Sequence, residues 1–174
     1  MKRNEDFFEI IGKITMFFST VDLLATTLIL KFKALETESL ELPKETATLG
    51  IKINYLEKIK LINPQSKIAL SYIHDNLSFI YTVVNERNRY MHDQWLFNPE
   101  TIKLGHIDRI KLTSSGLKET TSLYHDDLTK FCFKVGKVQK IFMNAMKKSG
   151  IEISALGQID LKSIQPPISE NPTY

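Results

Sequence analysis

The sequence predicts an all-α protein, a four-helix bundle with a small β-hairpin inserted after the third helix. Apolar side chains recur at alternating steps of three and four along three long segments, which is the spacing of one face of an α-helix. Between residues 94 and 112 this spacing gives way to turn signals with apolar and β-branched flanks. A length of 174 residues makes about one domain. We therefore expect one helical domain over residues 1–150 and an irregular tail, containing several prolines, over residues 151–174.

The first two helices are predicted from about Asn4 to Ala34 and from about Pro43 to Ile62. Asn4 suits the N-cap of the first helix, and Pro43 suits the first turn of the second, where its missing N–H is not needed. The first helix has one long apolar stripe, which consists of Phe7, Ile11, Ile14, Phe18, Val21, Ala25, Leu28 and Phe32. Further apolar neighbours widen this stripe, so we expect the helix to pack against several partners.

The third helix is predicted to start at Asn63-Pro64 and to continue to about His92. Its core-facing stripe is apolar for most of its length and becomes polar over the last two turns, at Arg87 and Asn88. The apolar members of the stripe are Ile73, Leu77, Ile80, Val84 and Met91. This change from apolar to polar marks the end of the third helix as the place to look for a functional site.

After the third helix, residues 94–112 are expected to form a hairpin or two short strands, with Asn98-Pro99 and Gly105 as turns. The last helix is predicted from about Lys118 to Lys148, followed by Gly150 as a stop signal. Its stripe again advances by three and four, through Tyr124, Leu128, Phe131, Val135, Val138, Phe142 and Ala145.

The composition places the chain among soluble globular proteins, with 43% hydrophobic and 25% charged residues. The net charge is +3, from 23 basic and 20 acidic residues. A chain this close to neutral has no dense basic face, so any action on a polyanion must be local. The single cysteine, Cys132, excludes an internal disulfide and a thiolate-based zinc site, and we interpret it as a buried structural thiol.

No exported or membrane-spanning segment is expected near the N-terminus. Glu5, Asp6 and Glu9 interrupt the apolar region that a signal peptide needs. The longest uncharged stretches nearby, Ile14–Val21 and Leu23–Leu30, are much shorter than the roughly 20 residues of a membrane span. We therefore expect a cytoplasmic protein with no membrane partner.

Three polar side chains lie together at the end of the third helix. On a helix Asn88 and His92 are i,i+4 neighbours, and Arg87 lies on the other side of the apolar stripe. A guanidinium and an amide on a core-facing stripe are costly to bury unpaired. One interpretation is structural, with Arg87 paired to a buried carboxylate and with His92 ending the helix. The other is that these side chains form a site.

Residues 87–92, Arg-Asn-Arg-Tyr-Met-His, resemble the signature of the HEPN superfamily. These proteins are small helical bundles named for higher eukaryotes and prokaryotes nucleotide-binding. The signature is an Arg, often followed by a polar residue such as Asn, and then four to six positions to a His near the end of a late helix. The long flanking helices and the break in structure after the His also look like that fold, roughly from Phe7 to Lys148.

The resemblance implies a metal-independent endoribonuclease that uses no cofactor and acts as a homodimer, with two copies of the motif face to face. Arg87, Asn88 and His92 would be its catalytic residues. The unperturbed pKa of a histidine lies near neutrality, so this residue type at position 92 suits the proton transfers of 2′-hydroxyl attack, while Arg87 would hold the phosphate with a planar fork of donors. Asn88 would orient His92 or donate to a phosphate oxygen. Members of this kind serve as toxins or antiviral-defence effectors, so a protein antitoxin or regulator is a further possible partner beside RNA.

The chain departs from one family pattern, and this keeps an alternative open. Some toxin members carry a Tyr two places after the His, where this chain has Gln94, and Asp93 replaces the small residue often found after the His. Some superfamily members are inactive. The alternative function is therefore a non-catalytic module that binds a nucleotide or holds a protein interaction.

Three neighbours of the motif, Glu86, Arg89 and Tyr90, are candidate substrate-binding residues. Arg89 would contact the RNA backbone and Glu86 an arginine or a partner chain, although both also suit a solvated surface. Trp95 and Phe97 are expected to pack beneath the hairpin, with base stacking as the alternative. Adjacent residues point in different directions on a helix, so the run of residues 125–127, His-Asp-Asp, predicts no metal site.

Overall fold

The computed structural model is mostly helical with a small three-stranded antiparallel sheet. It describes residues 2–33, 41, 43–44, 47–61, 63–92, 94–112, 116 and 118–151, without the side chains of residues 2–6, 91–94, 112 and 118. The chain divides into two compact units, Met1–Thr20 with Phe79–Gln139 and Val21–Ser78 with Lys140–Tyr174. The single domain over residues 1–150 stays a prediction. Most of the predicted tail, residues 152–174, lies outside the described residues, and its first residue, Ile151, is buried.

Six helices and three strands lie within the described part of the chain. In chain order they are α1 (Lys2–Lys33), α2 (Leu49–Lys58), α3 (Pro64–His74), α4 (Leu77–His92), β1 (Gln94–Leu96), α5 (Pro99–Lys103), β2 (His106–Leu112), β3 (Lys118–Tyr124) and α6 (His125–Lys148). The predicted first helix is confirmed as α1. The predicted last helix is confirmed at its C-terminal end but not at its start.

The C-terminal end of α6 is closed as its sequence predicts. Gly150 adopts a φ of 74°, a conformation that favours glycine. The amide of Ile151 donates to the Met146 carbonyl at 3.0 Å, and the amide of Gly150 donates to the Lys147 carbonyl at 3.2 Å. This is the Schellman arrangement, which satisfies carbonyls that the last helical turn leaves without partners.

The prediction that the second helix spans Pro43 to Ile62 is wrong at both ends, since α2 is only ten residues long. Before it, the Ala47 amide donates to the Lys44 carbonyl at 2.8 Å, and Thr48 is extended, with a ψ of 154°. After it, Ile59 is extended, with a ψ of 136°. The helix is therefore limited by extended residues on either side rather than by its apolar pattern.

The predicted third helix is in fact two helices, α3 and α4, separated by Asp75 and Asn76. The Asn76 side-chain amide donates to the Tyr72 carbonyl at 2.8 Å, and the Asn76 backbone amide donates to the Ile73 carbonyl at 3.0 Å. These bonds use helix carbonyls locally, which is how Asn and Asp compete with helical hydrogen bonding. The predicted start is confirmed, because Asn63 caps α3 by accepting from the Gln65 and Ser66 amides.

The β region is larger than predicted. It has three antiparallel strands in the order β1-β2-β3, and the short helix α5 lies between β1 and β2. The segment Lys118–Tyr124, which was predicted to begin the last helix, instead pairs with β2 along its whole length, from Leu112 opposite Lys118 to His106 opposite Tyr124. Its pattern admits both structures, and pairing with β2 decides in favour of the strand because Thr120 and Thr121 suit a sheet.

The unit that contains the sheet has an aromatic centre. Phe18 from α1, Tyr90 from α4 and Phe131 from α6 are all buried, and Trp95 from β1 is partly buried. The Tyr90 ring stacks on Phe131 at 4.4 Å and on Trp95 at 5.7 Å, and Phe18 lies 6.1 Å from Phe131. We call these four rings the aromatic cluster.

The other unit buries a cation among its apolar residues. Lys52 from α2 is only 3% exposed, beside Ile53 and Leu56, which are fully buried. Its Nζ lies 2.7 Å from the Asp22 carboxylate on α1, and the Asp22 side chain is 43% exposed. The buried ammonium therefore has a carboxylate partner that remains in contact with solvent.

One described helix, over Phe7–Lys33 of α1, is long and apolar enough to cross a membrane by length and composition, with a mean hydropathy of 1.5. The same properties are shared by core helices of soluble proteins and by signal sequences, and 44% of the most apolar stretch is buried. The expectation of a cytoplasmic protein without a membrane partner stays a prediction.

Replacing either member of the Lys52–Asp22 pair should give unequal losses of stability. Asp22→Asn leaves a buried ammonium without its carboxylate, so we expect the free energy of unfolding to fall by about 1–3 kcal/mol. Lys52→Met leaves only a solvent-exposed carboxylate behind and should change stability by less than about 1 kcal/mol. Urea unfolding of both variants measures the difference. A Lys52→Met variant that is the less stable of the two would contradict this account.

Candidate functional site

The last three turns of α4 carry Glu86, Arg87, Asn88, Arg89 and Tyr90 in different surroundings. These residues all belong to the unit that contains the sheet. Asn88 and Arg89 are exposed, Glu86 and Arg87 are partly buried, and Tyr90 is buried. The helix thus presents neighbouring polar side chains to different parts of this unit.

Arg87 is held by neutral partners. Its guanidinium carbon lies 5.6 Å from the centre of the Phe18 ring, and its Nη1 donates to the Asn88 side-chain oxygen at 3.3 Å. No carboxylate among the described residues forms an ion pair with it. A cation on an aromatic face is attracted by about 0.5–2 kcal/mol, which orients the guanidinium without cancelling its charge.

Glu86, one residue earlier, is compensated. Its Oε2 accepts from the Lys134 Nζ on α6 at 2.9 Å, so this carboxylate is engaged by a lysine of its own chain. Its predicted role of contacting an arginine or a partner chain stays a prediction. Glu86 and Arg87 are adjacent on α4, and they differ. Among the described residues the acidic side chain has a counter-charge and the basic one has none.

His92 is the last residue of α4, but its side chain lies outside the described residues. The side chains of Met91, Asp93 and Gln94 lie outside them as well. The helical spacing still puts His92 one turn beyond Asn88. The pairing of His92 with Arg87 and Asn88 in one site therefore remains a sequence-based prediction.

Tyr90, a candidate substrate-binding residue, is 7% exposed and belongs mainly to the core of its unit. Its backbone carbonyl accepts from the Trp95 indole N–H at 2.7 Å. Burial raises the pKa of the Tyr90 phenol, and the nearby Glu86 carboxylate raises it further, whereas Arg109 lowers it. Tyr90 thus acts first as a platform on which other side chains rest.

Trp95 and Phe97 follow α4 and continue the aromatic packing. Their rings lie 6.4 Å apart and nearly parallel, and Phe97 also stacks on Phe8 of α1 at 5.0 Å. Phe97 remains 42% exposed and Phe8 55% exposed. Trp95 belongs to β1 and is partly buried, with its ring packed on Tyr90, while Phe97 packs on one side and faces solvent on the other.

A cleft of about 390 Å³ opens beside α4, and we call it the arginine cleft. Its described lining comprises Thr82, Asn85, Glu86, Arg89, Tyr90, Arg109 and Leu123. Of the candidate residues, it brings together Glu86, Arg89 and Tyr90. Arg87 and Asn88 are not among the described residues that line it.

Sequence reasoning missed Arg109, which lies on β2 opposite Trp95 of β1. Its guanidinium carbon is 5.3 Å from the centre of the Tyr90 ring. The alternation of Ile107 and Arg109 signals a shared inward face of a strand, but only the sheet register brings that face to α4. Asn85 was also missed, although its i,i+4 spacing to Arg89 is visible in the sequence.

Two further residues considered for chemistry are His125 and Cys132. The His125 ring lies edge-on to Phe7 at 5.8 Å. Cys132 is a partly buried free thiol, and burial raises its pKa, which disfavours the thiolate that a nucleophile needs. Among the described residues no group of three or more His, Cys, Asp and Glu side chains could hold a metal ion.

The chain matches no family model, no curated protein and no solved structure.

Tyr90→Phe should reduce the sensitivity of the protein to alkali. The pKa of the phenol is raised in the folded state, so the phenol ionises at lower pH in the unfolded chain than in the folded one. The burial of the neutral phenol therefore contributes fully to stability below about pH 10, and this contribution is lost as the pH rises above that value. Between about pH 9 and about pH 11 the wild-type free energy of unfolding should therefore fall further than that of the variant. Urea unfolding at these two values measures the slope, with Tyr124→Phe, an exposed tyrosine of β3, as the matched control. Equal slopes for wild type and Tyr90→Phe would show that Tyr90 is not responsible.

Proposed function

We propose that this protein is a metal-independent endoribonuclease of the HEPN type, acting as a toxin or antiviral-defence effector. In this proposal the long helices belong to a HEPN-like four-helix bundle. The support is the Arg-Asn-x3-His sequence over residues 87–92, which ends at the last residue of α4, immediately before the sheet. RNA is the substrate, no cofactor is needed, and the protein works in the cytoplasm.

The observation that carries the proposal is the state of Arg87. An arginine with a purely structural role is expected to form an ion pair with a carboxylate, because a partly buried charge without a counter-charge is costly. Arg87 instead rests on Phe18 and Asn88, which orient it and leave its charge uncompensated among the described residues. A phosphodiester would supply the missing negative charge, and the guanidinium fork matches its oxygens.

The residue types suit transfer of the phosphoryl group to the 2′-hydroxyl. The 2′-oxygen forms a bond to phosphorus as the bond to the 5′-oxygen breaks, which gives a 2′,3′-cyclic phosphate and a free 5′-hydroxyl. One proton leaves the 2′-hydroxyl and one is delivered to the 5′-oxygen, and the His92 imidazoles of two chains perform these transfers, one as base and one as acid. Arg87 stabilises the charge on the phosphate oxygens, and Asn88 positions the two groups.

A homodimer would complete this site. One motif offers one imidazole, whereas the reaction needs a base and an acid at the same time. A two-fold axis that brings two copies of residues 87–92 together provides both. With a net charge of +3, the chain also gains from doubling its few local cations at one seam. A protein antitoxin or regulator would act by covering the interface at which the two copies of residues 87–92 meet.

A second function, nucleotide binding without cleavage, is favoured by one observation. The arginine cleft takes in Arg89 but not Arg87 among its described lining, so a ligand there would not need the motif. Binding of RNA or nucleotide without any cleavage would support this alternative.

The purified protein should cut single-stranded RNA in EDTA and leave 2′,3′-cyclic phosphate ends. His92→Ala should slow cleavage by at least about 100-fold, because it removes the proton-transfer group. Arg87→Ala should slow it by about 100- to 1,000-fold, and Arg87→Lys by less, since lysine keeps the charge and loses the fork. Gel-resolved cleavage rates of an end-labelled RNA measure all three.

The matched control is Lys137→Ala. Lys137 is a surface cation that rests on an aromatic ring, with its Nζ 4.9 Å from the centre of the Phe79 ring, and it lies outside the motif. Its loss should leave cleavage unchanged. Intact RNA after prolonged incubation, or full activity in a folded His92→Ala variant, would refute the proposed function.

The cleavage rate per protomer should fall on dilution, because each site needs two chains. Analytical ultracentrifugation should show a dimer over the concentrations at which the protein is active. The midpoint of the activity loss should match the dimer dissociation constant. A monomer that retains its full rate at all dilutions would contradict the composite site.

A further inference from the structure

We propose that the arginine cleft is a phosphate subsite, in which Arg89 and Arg109 bind a backbone phosphate of an RNA strand. This inference rests on the proposed function for the identity of the ligand as RNA. The binding chemistry itself is that of any nucleotide phosphate. The subsite lies beside α4 and is separate from the Arg87 guanidinium, which is directed to Phe18.

The two arginines enter the cleft from different elements. Arg89 is exposed on α4, and Arg109 is partly buried on β2. Their convergence is specific, because residues so far apart in the chain meet only through the packing of the sheet beside the helix. An arginine has five N–H donors, so a contact elsewhere in the protein leaves others for a phosphate.

Arg109 is held in place before any ligand arrives. Its guanidinium carbon lies 5.3 Å from the centre of the Tyr90 ring, and Tyr90 is stacked on Phe131 and Trp95. A guanidinium on an aromatic face loses less side-chain freedom when it binds a phosphate than a mobile lysine does. The aromatic cluster therefore supplies the rigidity that a binding site needs.

The one carboxylate in the described lining is already compensated. Glu86 would repel a phosphate, but its Oε2 accepts from Lys134 at 2.9 Å. With Glu86 paired in this way, Arg89 and Arg109 are the basic side chains of the described lining. Guanidinium groups that converge in one cleft are the donors that suit a phosphate.

The rest of the lining suits the sugar and the size of one nucleotide. Thr82 and Asn85 carry a hydroxyl and an amide on α4, while Leu123 and Tyr90 provide apolar surface. A volume of about 390 Å³ lies within the range of small-ligand pockets, about 300–1,000 Å³.

Binding of a fluorescent 2′-O-methyl oligonucleotide tests the subsite without any cleavage, because that backbone has no free 2′-hydroxyl. We expect Arg89→Gln and Arg109→Gln each to weaken binding by about fivefold or more. Each should also reduce the slope of log affinity against log salt by about 0.7, the value for one lost contact on a single strand. Lys130→Gln, which removes an exposed cation of α6 outside the cleft, is the matched control and should change neither quantity.

Arg109→Lys keeps the folded-state charge and guards against the possibility that Arg109→Gln fails to fold. It should bind more weakly than wild type and retain the salt slope. The inference would be overturned if Arg89→Gln and Arg109→Gln bound the oligonucleotide as tightly as Lys130→Gln and showed the same slope of log affinity against log salt.

Competition by a 5′-mononucleotide distinguishes the source of the phosphate. Weak, millimolar competition that depends on Arg89 supports an RNA strand, whereas competition as strong as that of the oligonucleotide assigns the subsite to a free nucleotide and overturns the RNA assignment.

The proposed nuclease function and the proposed subsite can be refuted separately. Arg89-dependent binding without cleavage would refute only the nuclease, and cleavage with an unchanged KM in Arg89→Gln would refute only the subsite.

Discussion

The stacking of aromatic rings around Tyr90 is the interaction on which the functional features depend. Phe131 lies 4.4 Å from Tyr90, and Trp95 covers the ring at 5.7 Å while its indole N–H bonds to the Tyr90 carbonyl. Two of the three arginines that we associate with RNA rest on this cluster, Arg87 on Phe18 and Arg109 on Tyr90. An aromatic face attracts and orients a guanidinium. For Arg87 no carboxylate among the described residues forms an ion pair with it, so its orientation does not come with a counter-charge there.

The same arrangement bears on how a nearly neutral chain would bind an anion, as the proposed function requires. Glu86 has a counter-charge from Lys134, whereas Arg87 forms no ion pair with a carboxylate among the described residues. Pairing the acid and not this arginine would give a local basic surface without a high overall charge. Affinity from charge alone would then be modest and sensitive to salt, and specificity would come from how the cations are held. A few oriented arginines thus take the place of a broad basic face.

The sequence predicted α1 and the C-terminal part of α6 well, but it missed the break in the third helix and the strand that precedes α6. The stripe of α1 needs no partner to be recognised, because it repeats over many turns. The segment Lys118–Tyr124 is too short for its period to separate helix from strand, and pairing with β2 decides it. The predicted third helix broke at Asp75 and Asn76, whose side chains offer local hydrogen bonds that an apolar stripe does not reveal.

By itself the sequence determined which residue types lie near the end of α4 and showed that they follow an apolar stripe. It also gave the HEPN-like spacing of Arg87 and His92. Only the tertiary structure decided what those residues touch. It put Tyr90 in the core, gave Glu86 a lysine partner, and brought Arg109 to a helix that lies far from it in the chain. The physical reason is that helical spacing is a local property. The pairing of charges and the stacking of rings depend instead on which elements pack together.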